Sequence, residues 1–224
     1  MAQNNFSQLL AYFGINLAFN SGITILVDSI SGFFLIILAV AVLFEYAGRT
    51  YREEVARKSS LIAITLMGAL LVVELLLGRY GIGQIHVSST IRDICAIIGC
   101  VLVVKGVILN LIARFELGLA WSNNIVVYRD QKLVDRGLYA IVRHPLYATI
   151  HLISIGLFIQ YQNYISLIIS VGIFLPLLFM RMNREEYILR EHMAGYIEYS
   201  KNVPMFFPRL RGSCFFKNCK SGGH

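Results

Sequence analysis

Residues 133–147 read LVDRGLYAIVRHPLY and lie between apolar runs at 93–113 and 147–161. Pro145 disfavours helix at His144 and suits the first turn of a helix. Arg143 and His144 should therefore mark the junction where a loop ends and a helix begins. The free backbone N–H groups of that first turn form a weak positive end, where a carboxylate or phosphate can dock. Gly137 allows a tight turn just before Tyr139. The ring faces of Tyr139 and Tyr147 suit an aromatic base or a sulfonium cation. Arg143 is a charge-fixed donor for an anion.

The surrounding chain is apolar. It is 57% hydrophobic and 15% charged over 224 residues, with a mean hydropathy of +0.65, whereas soluble domains carry roughly 25% charge. This balance indicates an integral membrane protein. Spans are expected at 30–47, 60–77 and 93–113, each about long enough for a ~30 Å hydrocarbon core. A further segment, 8–27, is interrupted by Asn16, Asn20 and Ser21 and read as crossing, with Asp28 and Ser29 breaking the run after it. The runs 147–161 and 164–180 are each short for a span and are separated by Gln162 and Asn163. Together they predict a tight helical hairpin. The expected fold is an all-α polytopic membrane protein with about five to six transmembrane helices. The spans occupy 1–115, a loop, hairpin and helix region occupies 116–210, and a disordered tail follows at 211–224.

Charge supplies an orientation. Arg49, Arg52, Arg57 and Lys58 fall in one connection. Arg114, Arg129, Lys132, Arg136 and Arg143 fall in a later one, and eight more basic residues follow from Arg181 onward. Basic loops prefer the cytoplasm, so 133–147 and the C-terminal segment should share the cytoplasmic side. The net charge of +7 then faces anionic lipid rather than nucleic acid. Glu74 and Lys105 fall inside spans, where charges are expensive. Their depths differ by roughly 14 Å at 1.5 Å per residue, which argues against a direct pair. Glu74 is expected to snorkel to the interface and Lys105 to face carbonyls or a cavity.

From residue 181 the chain reads RMNREEYILREHMAGYIEY, a helix leaving the membrane for water and stopped by Pro204 and Pro208. Arg181 and Glu185 are four apart on one face. An i, i+4 surface ion pair would account for them, and so would a place at a membrane-edge pocket. Cys95 and Cys100 lie in an apolar run and Cys214 and Cys219 in a polar tail, with spacings that suit free thiols. GRYGIG at 78–83 follows a helix rather than a strand and is set aside as a phosphate loop. His144 and His151 lack a third ligand, so no metal is expected.

LVxxGxY at 133–139, RHPxY at 143–147, Arg-x-x-x-Glu-Glu-x-x-Leu at 181–189 and the distal GYIEY at 195–199 occur together. This combination resembles the isoprenylcysteine carboxyl methyltransferase family, to which phospholipid methyltransferases are related. The resemblance covers roughly residues 118–208. It implies a membrane enzyme that uses S-adenosylmethionine without a Rossmann domain, at a pocket built from the loop, the hairpin and the C-terminal helix. Matched by position, the cofactor contacts would be Asn124, Gln131, Leu133, Val134, Tyr139, His144, Pro145, Leu146, Tyr147 and Glu185. Arg181 would hold the acceptor, and Arg181, His144 and Glu185 would be the catalytic groups. Gln131 stands where the family has a His, and Gly195 is followed directly by Tyr196 where the family has two intervening residues. The acceptor would be a lipophilic molecule entering from the bilayer, either a prenylcysteine-type carboxylate or a lipid amine. A carboxylate needs no base, whereas an amine does. Two other readings compete. Sterol or enone reductases that bind NADPH share an Arg-His motif but carry a Trp near the motif glycine, whereas the only Trp here is Trp121. A non-catalytic scaffold or transporter subunit would place its site at Glu74 and Lys105.

Overall fold

The computed structural model describes residues 22–47, 54–58, 61–118, 125–128 and 132–209. Most of the segment 8–27, together with Trp121, Asn124, Gln131, Cys214, Cys219 and the tail, lies outside the described residues. The helices are α1 (Gly22–Ala47), α2 (Leu61–Tyr80), α3 (Ser89–Leu117), α4 (Pro145–Tyr161), α5 (Tyr164–His192) and α6 (Tyr196–Asn202). Three of them, α1 over Ile25–Leu43, α3 and α5, are long and apolar enough to cross a membrane. The chain is a polytopic membrane protein. One short antiparallel ribbon adds to the helical plan: β1 (Glu54–Lys58) pairs with β2 (Ile125–Tyr128). It joins the two loops that the basic residues had marked as lying on one side.

The predicted hairpin is α4 and α5. Gln162 adopts a left-handed conformation and Asn163 caps α5, its side chain accepting from the N–H groups of Ile165 and Ser166, as a short amide at an N-cap does. The second arm is longer than expected and runs on to His192. Within it, Ile169–Phe174 forms a π-turn immediately before Pro176, which has no N–H to offer the preceding turn.

α3 and α4 form the closest helix pair, and glycines permit the approach. A Cβ on Gly99 would lie 2.3 Å from the backbone nitrogen of Gln160, and one on Gly156 would lie 3.0 Å from the Gly99 carbonyl oxygen. Small residues at such crossings let helix backbones meet in lipid. The central core follows from this pairing, with Leu38 of α1 against Val103, Val107, Ile153, Leu157 and Tyr161. Gly99→Leu should therefore destabilise by about 1–3 kcal/mol or more through overpacking. Gly172→Leu, whose nearest neighbour would be 4.0 Å away, should stay within about 0.5 kcal/mol. Thermal unfolding in detergent separates the two.

Three expectations need correction. Asp28 does not break a helix but lies within α1. Its carboxylate accepts from Gln160 Nε2 (3.0 Å) and Arg79 (3.3 Å), while Gln160 Oε1 accepts from Ser31. A carboxylate supplied with donors from two neighbouring helices has no need to reach water. Glu74 does not snorkel. It is fully buried, and its Oε1 accepts from Ser154, which also bonds Ser170 in the π-turn. Lys105 is exposed on the outside of α3. The run 78–83 is a structural turn. Gly83 has φ +80, Tyr164 N–H donates to its carbonyl and Ile85 N–H donates to that of Gln162, so the run ties α2 to the hairpin tip.

Candidate functional site

The opposite end of the bundle is organised by the junction read from the sequence. Pro145 occupies the first turn of α4, preceded by His144 in a non-helical conformation. Before it, Gly137 has φ +60 and opens a 3-10 turn over Gly137–Ala140. The turn is fixed by Glu116, whose Oε2 accepts from Leu138 N–H at 2.9 Å. A Cβ at residue 137 would run into that same carboxylate. Gly137→Ala should cost about 1–3 kcal/mol, combining backbone strain with loss of the Glu116 contact, and should lower the unfolding midpoint.

The centre of the site is a residue whose role the sequence did not disclose. Glu186 reads as part of a sign-alternating helix in water, yet it is 6% exposed. Its Oε1 accepts from Arg143 Nε at 2.7 Å, lies 3.0 Å from His144 Nε2 and accepts from Tyr196 Oη at 2.8 Å, while its Oε2 accepts from Arg190. Arg143 also donates to the Ser200 and Val203 carbonyls. Arg143 is therefore a structural pin rather than the open anion donor that the sequence suggested. A carboxylate only accepts, so the hydrogen on Nε2 faces Glu186 and Nδ1 is left towards Glu185, 4.0 Å from its Oε2. Burial next to Glu186 raises the Tyr196 phenol well above its usual range, and it stays a donor at neutral pH.

Beside this hub, Tyr147 links two predicted residues. Arg181 Nε donates to Tyr147 Oη at 2.7 Å, and that hydroxyl donates to Glu185 Oε2 at 2.7 Å. Arg181 and Glu185 are thus bridged by a third residue rather than forming the simple surface pair that their spacing allowed. Arg181 is buried, with its guanidinium carbon 5.7 Å from the centre of the Tyr147 ring. Tyr139 is also buried. Its phenol is pushed above the usual range by burial and by the Glu185 charge, and its carbonyl accepts from Tyr199 Oη.

A single cavity of about 600 Å³ brings these groups together. Leu133, Val134, Tyr139, His144, Pro145, Leu146, Tyr147, Arg181 and Glu185 all line it. Arg114, Tyr196 and Tyr199 line it too, beyond the sequence reading. Arg114 had counted only as a cytoplasmic charge, although Asn110 one turn earlier was a signal. Arg114 Nε donates to Asn110 Oδ1, and Asn110 Nδ2 donates to Thr149 and to the Leu146 carbonyl, holding the start of α4 to α3. Away from these polar groups the cavity continues as an apolar slot between α1 and α2, walled by residues such as Leu35, Leu43, Gly68 and Leu75.

Residues 97–191 match the isoprenylcysteine carboxyl methyltransferase (ICMT) family. This part of the chain is similar to that family. The chain is 30% identical over 128 residues to a protein-S-isoprenylcysteine O-methyltransferase of Saccharomyces cerevisiae, covering 56% of this chain and 54% of the yeast protein. It is 30% identical over 113 residues to protein-S-isoprenylcysteine O-methyltransferase B of Arabidopsis thaliana, covering 49% and 57%. The matches thus span little more than half the length of these curated relatives. The matched stretch holds the junction, the hairpin, Arg181, Glu185 and Glu186. It excludes α1, α2 and α6, so Tyr196 and both walls of the apolar slot belong to the rest of the chain.

Proposed function

We propose that the chain is an S-adenosylmethionine-dependent methyltransferase working at the cytoplasmic face of a membrane. Its acceptor is lipophilic, with a prenylcysteine-type carboxylate favoured over a lipid amine. One observation carries this reading: a single cavity joins a buried arginine, a histidine and a carboxylate to an apolar slot between helices. A water-soluble cofactor and a bilayer-soluble acceptor can meet there and in few other places. The orientation rests on the basic residues of 49–58 and 114–143, which favour the cytoplasm.

The residues suit the cofactor. The cavity volume lies within the range of small-molecule sites. Leu133, Val134 and the Tyr139 ring offer apolar and aromatic surface to an adenine, and the carboxylate of Glu185 suits ribose hydroxyls or an amino group. S-adenosylmethionine supplies a methyl group already activated on a sulfonium. The protein's task is then alignment, which in favourable geometry contributes several kcal/mol of barrier reduction. Arg181 holds the acceptor carboxylate through charge-assisted hydrogen bonds. Tyr147 sets the direction of the Arg181 side chain and of Glu185 together. Glu186 fixes the His144 ring, leaving its Nδ1 towards the cavity. An acceptor carboxylate is already ionised at neutral pH, so no residue has to remove a proton from it.

Calorimetry on the detergent-purified protein tests the cofactor. S-adenosylmethionine and S-adenosylhomocysteine should bind, and Glu185→Ala should weaken both about tenfold, equivalent to ~1.4 kcal/mol. Binding of NADPH in their place would replace this reading with that of a reductase.

A further inference from the structure

We infer that Glu74, Ser154 and Ser170 form a site for a small monovalent cation, sodium, buried between α2, α4 and α5. None of the three lines the cavity that holds Arg181 and Glu185, and the site stands or falls independently of methyl transfer.

The sequence places one carboxylate in an apolar run, LLVVELLL at 70–77, and the fold closes two hydroxyls over it. Glu74 Oε1 accepts from Ser154 of α4 at 2.8 Å, and Ser154 Oγ lies 2.8 Å from Ser170 Oγ of α5. Three helices each contribute one oxygen-bearing side chain, and all three side chains are fully buried. The π-turn helps to bring Ser170 there. At 3.6 residues per turn, a step of four residues overshoots a full turn by about 40°. Residues 166, 170, 174 and 178 of a plain α-helix would therefore drift off one face. The wider turn at Ile169–Phe174 absorbs part of that drift, and Ser166, Ser170, Phe174 and Leu178 are all buried.

The charge of this carboxylate is unbalanced. Glu74 Oε2 has no hydrogen-bond partner, and among the described residues no basic side chain pairs with Glu74. A carboxylate in an apolar interior is neutralised by a proton or a cation. A proton fits this geometry poorly. Oε1 already accepts from Ser154, so the proton falls on Oε2, where it leaves a buried O–H without an acceptor. A cation takes the oxygens as they stand, and the serine hydroxyls keep lone pairs for it. One carboxylate among neutral hydroxyls balances a single positive charge. Successive oxygens 2.8 Å apart suit a small ion. The same side of the hairpin holds further acceptors. Ser166 Oγ and Gln162 Oε1 are also buried without partners, at four-residue intervals from Ser170 towards the hairpin tip. With Glu74 Oε2 they make three of the five such atoms among the described residues, and all three are oxygens. They mark a polar route to the site from the end of the bundle remote from Arg181.

The test is thermal unfolding of the detergent-purified chain at fixed pH and ionic strength, with choline chloride exchanged stepwise for sodium or potassium chloride. Sodium at roughly ten times its Kd should raise the midpoint by about 4 °C, as a ligand held only by the folded state does. Potassium should raise it less. Glu74→Gln keeps the size of the side chain, removes its charge and should abolish the sodium response. Ser170→Ala should move the sodium dependence about tenfold to higher concentration, the effect of losing roughly 1.4 kcal/mol of binding. Radiolabelled sodium should bind the wild-type chain and not Glu74→Gln. The proposal falls if sodium, potassium and choline give one common midpoint, or if Glu74→Gln retains the sodium response. A Glu74→Gln chain more stable than wild type, with neither binding sodium, would overturn it in favour of a protonated carboxyl. Should Glu74→Gln not fold, Ser170→Ala carries the test, and an unchanged sodium dependence there overturns the site.

Discussion

Glu186→Ala should destabilise the protein by about 3–5 kcal/mol, the range seen when one partner of a buried ion pair is removed. The substitution leaves the Arg143 guanidinium buried with only the Ser200 and Val203 carbonyls, and it takes the acceptor from His144 Nε2 and Tyr196 Oη. Tyr196 belongs to a small cluster with Ile188, Met193 and Tyr199, so the damage should spread to α6. The neighbouring Glu185→Ala provides the comparison. Glu185 is partly exposed, and its loss should change the unfolding midpoint little while weakening the cofactor. Two adjacent glutamates would then divide cleanly, one acting on stability and the other on binding. Replacing Arg143 and Glu186 together by methionine and leucine should recover much of the loss, because apolar residues of similar volume often substitute for a buried pair without penalty. A full loss in the double variant would mean that the carbonyl contacts of Arg143, rather than the ion pair, hold the fold.

The second large effect concerns Arg181. Arg181→Ala should lower kcat/KM for a prenylcysteine carboxylate by about 10–10²-fold, mostly through KM, the size of one lost hydrogen bond to a charged group (about 1.5–3 kcal/mol). S-adenosylhomocysteine binding should change less than threefold. Arg181→Lys should recover only part of the rate, since an ammonium is a point charge without the planar fork of the guanidinium. The same variant separates the two acceptor classes. An amine acceptor gains nothing from a neighbouring guanidinium, so equal or faster methylation of a lipid amine by Arg181→Ala would reverse the preference stated above. The Tyr147 hydroxyl accepts from Arg181 and donates to Glu185, so Tyr147→Phe should lower both functions modestly, acting through its neighbours.

The features legible in the sequence were local ones. Pro145, Gly137 and the Gln162–Asn163 break each act through their own backbone, and each sits where its chemistry placed it. The sidedness inferred from basic loops matches the way β1 and β2 bring those loops together. Nine of the proposed site residues line one cavity because they come from just two stretches, the junction 133–147 and the later turns of α5. The features that were not legible depend on partners distant in the chain. Asp28 looks like a helix breaker until Gln160 and Arg79 arrive from other helices. Glu74 looks like an interfacial charge until Ser154, itself bonded to Ser170 in the π-turn, donates to it from another helix. Glu186 looks solvated because its companions on α5 are exposed, whereas its own partners lie 42 and 43 residues away in His144 and Arg143. Charge alternation along one helix reports exposure only where nothing else packs on that helix.

The backbone N–H groups of Arg143 and His144 donate to the carbonyls of Pro204 and Met205, and Phe206 is buried against α5. This has a consequence for biogenesis. The histidine junction emerges from the ribosome some sixty residues before the segment that fastens it. Until that segment arrives, the inserted helices lack the closure that sets His144. A partly translated chain, already in the bilayer, therefore lacks the backbone bonds that fix this junction until residues 204–206 have been made.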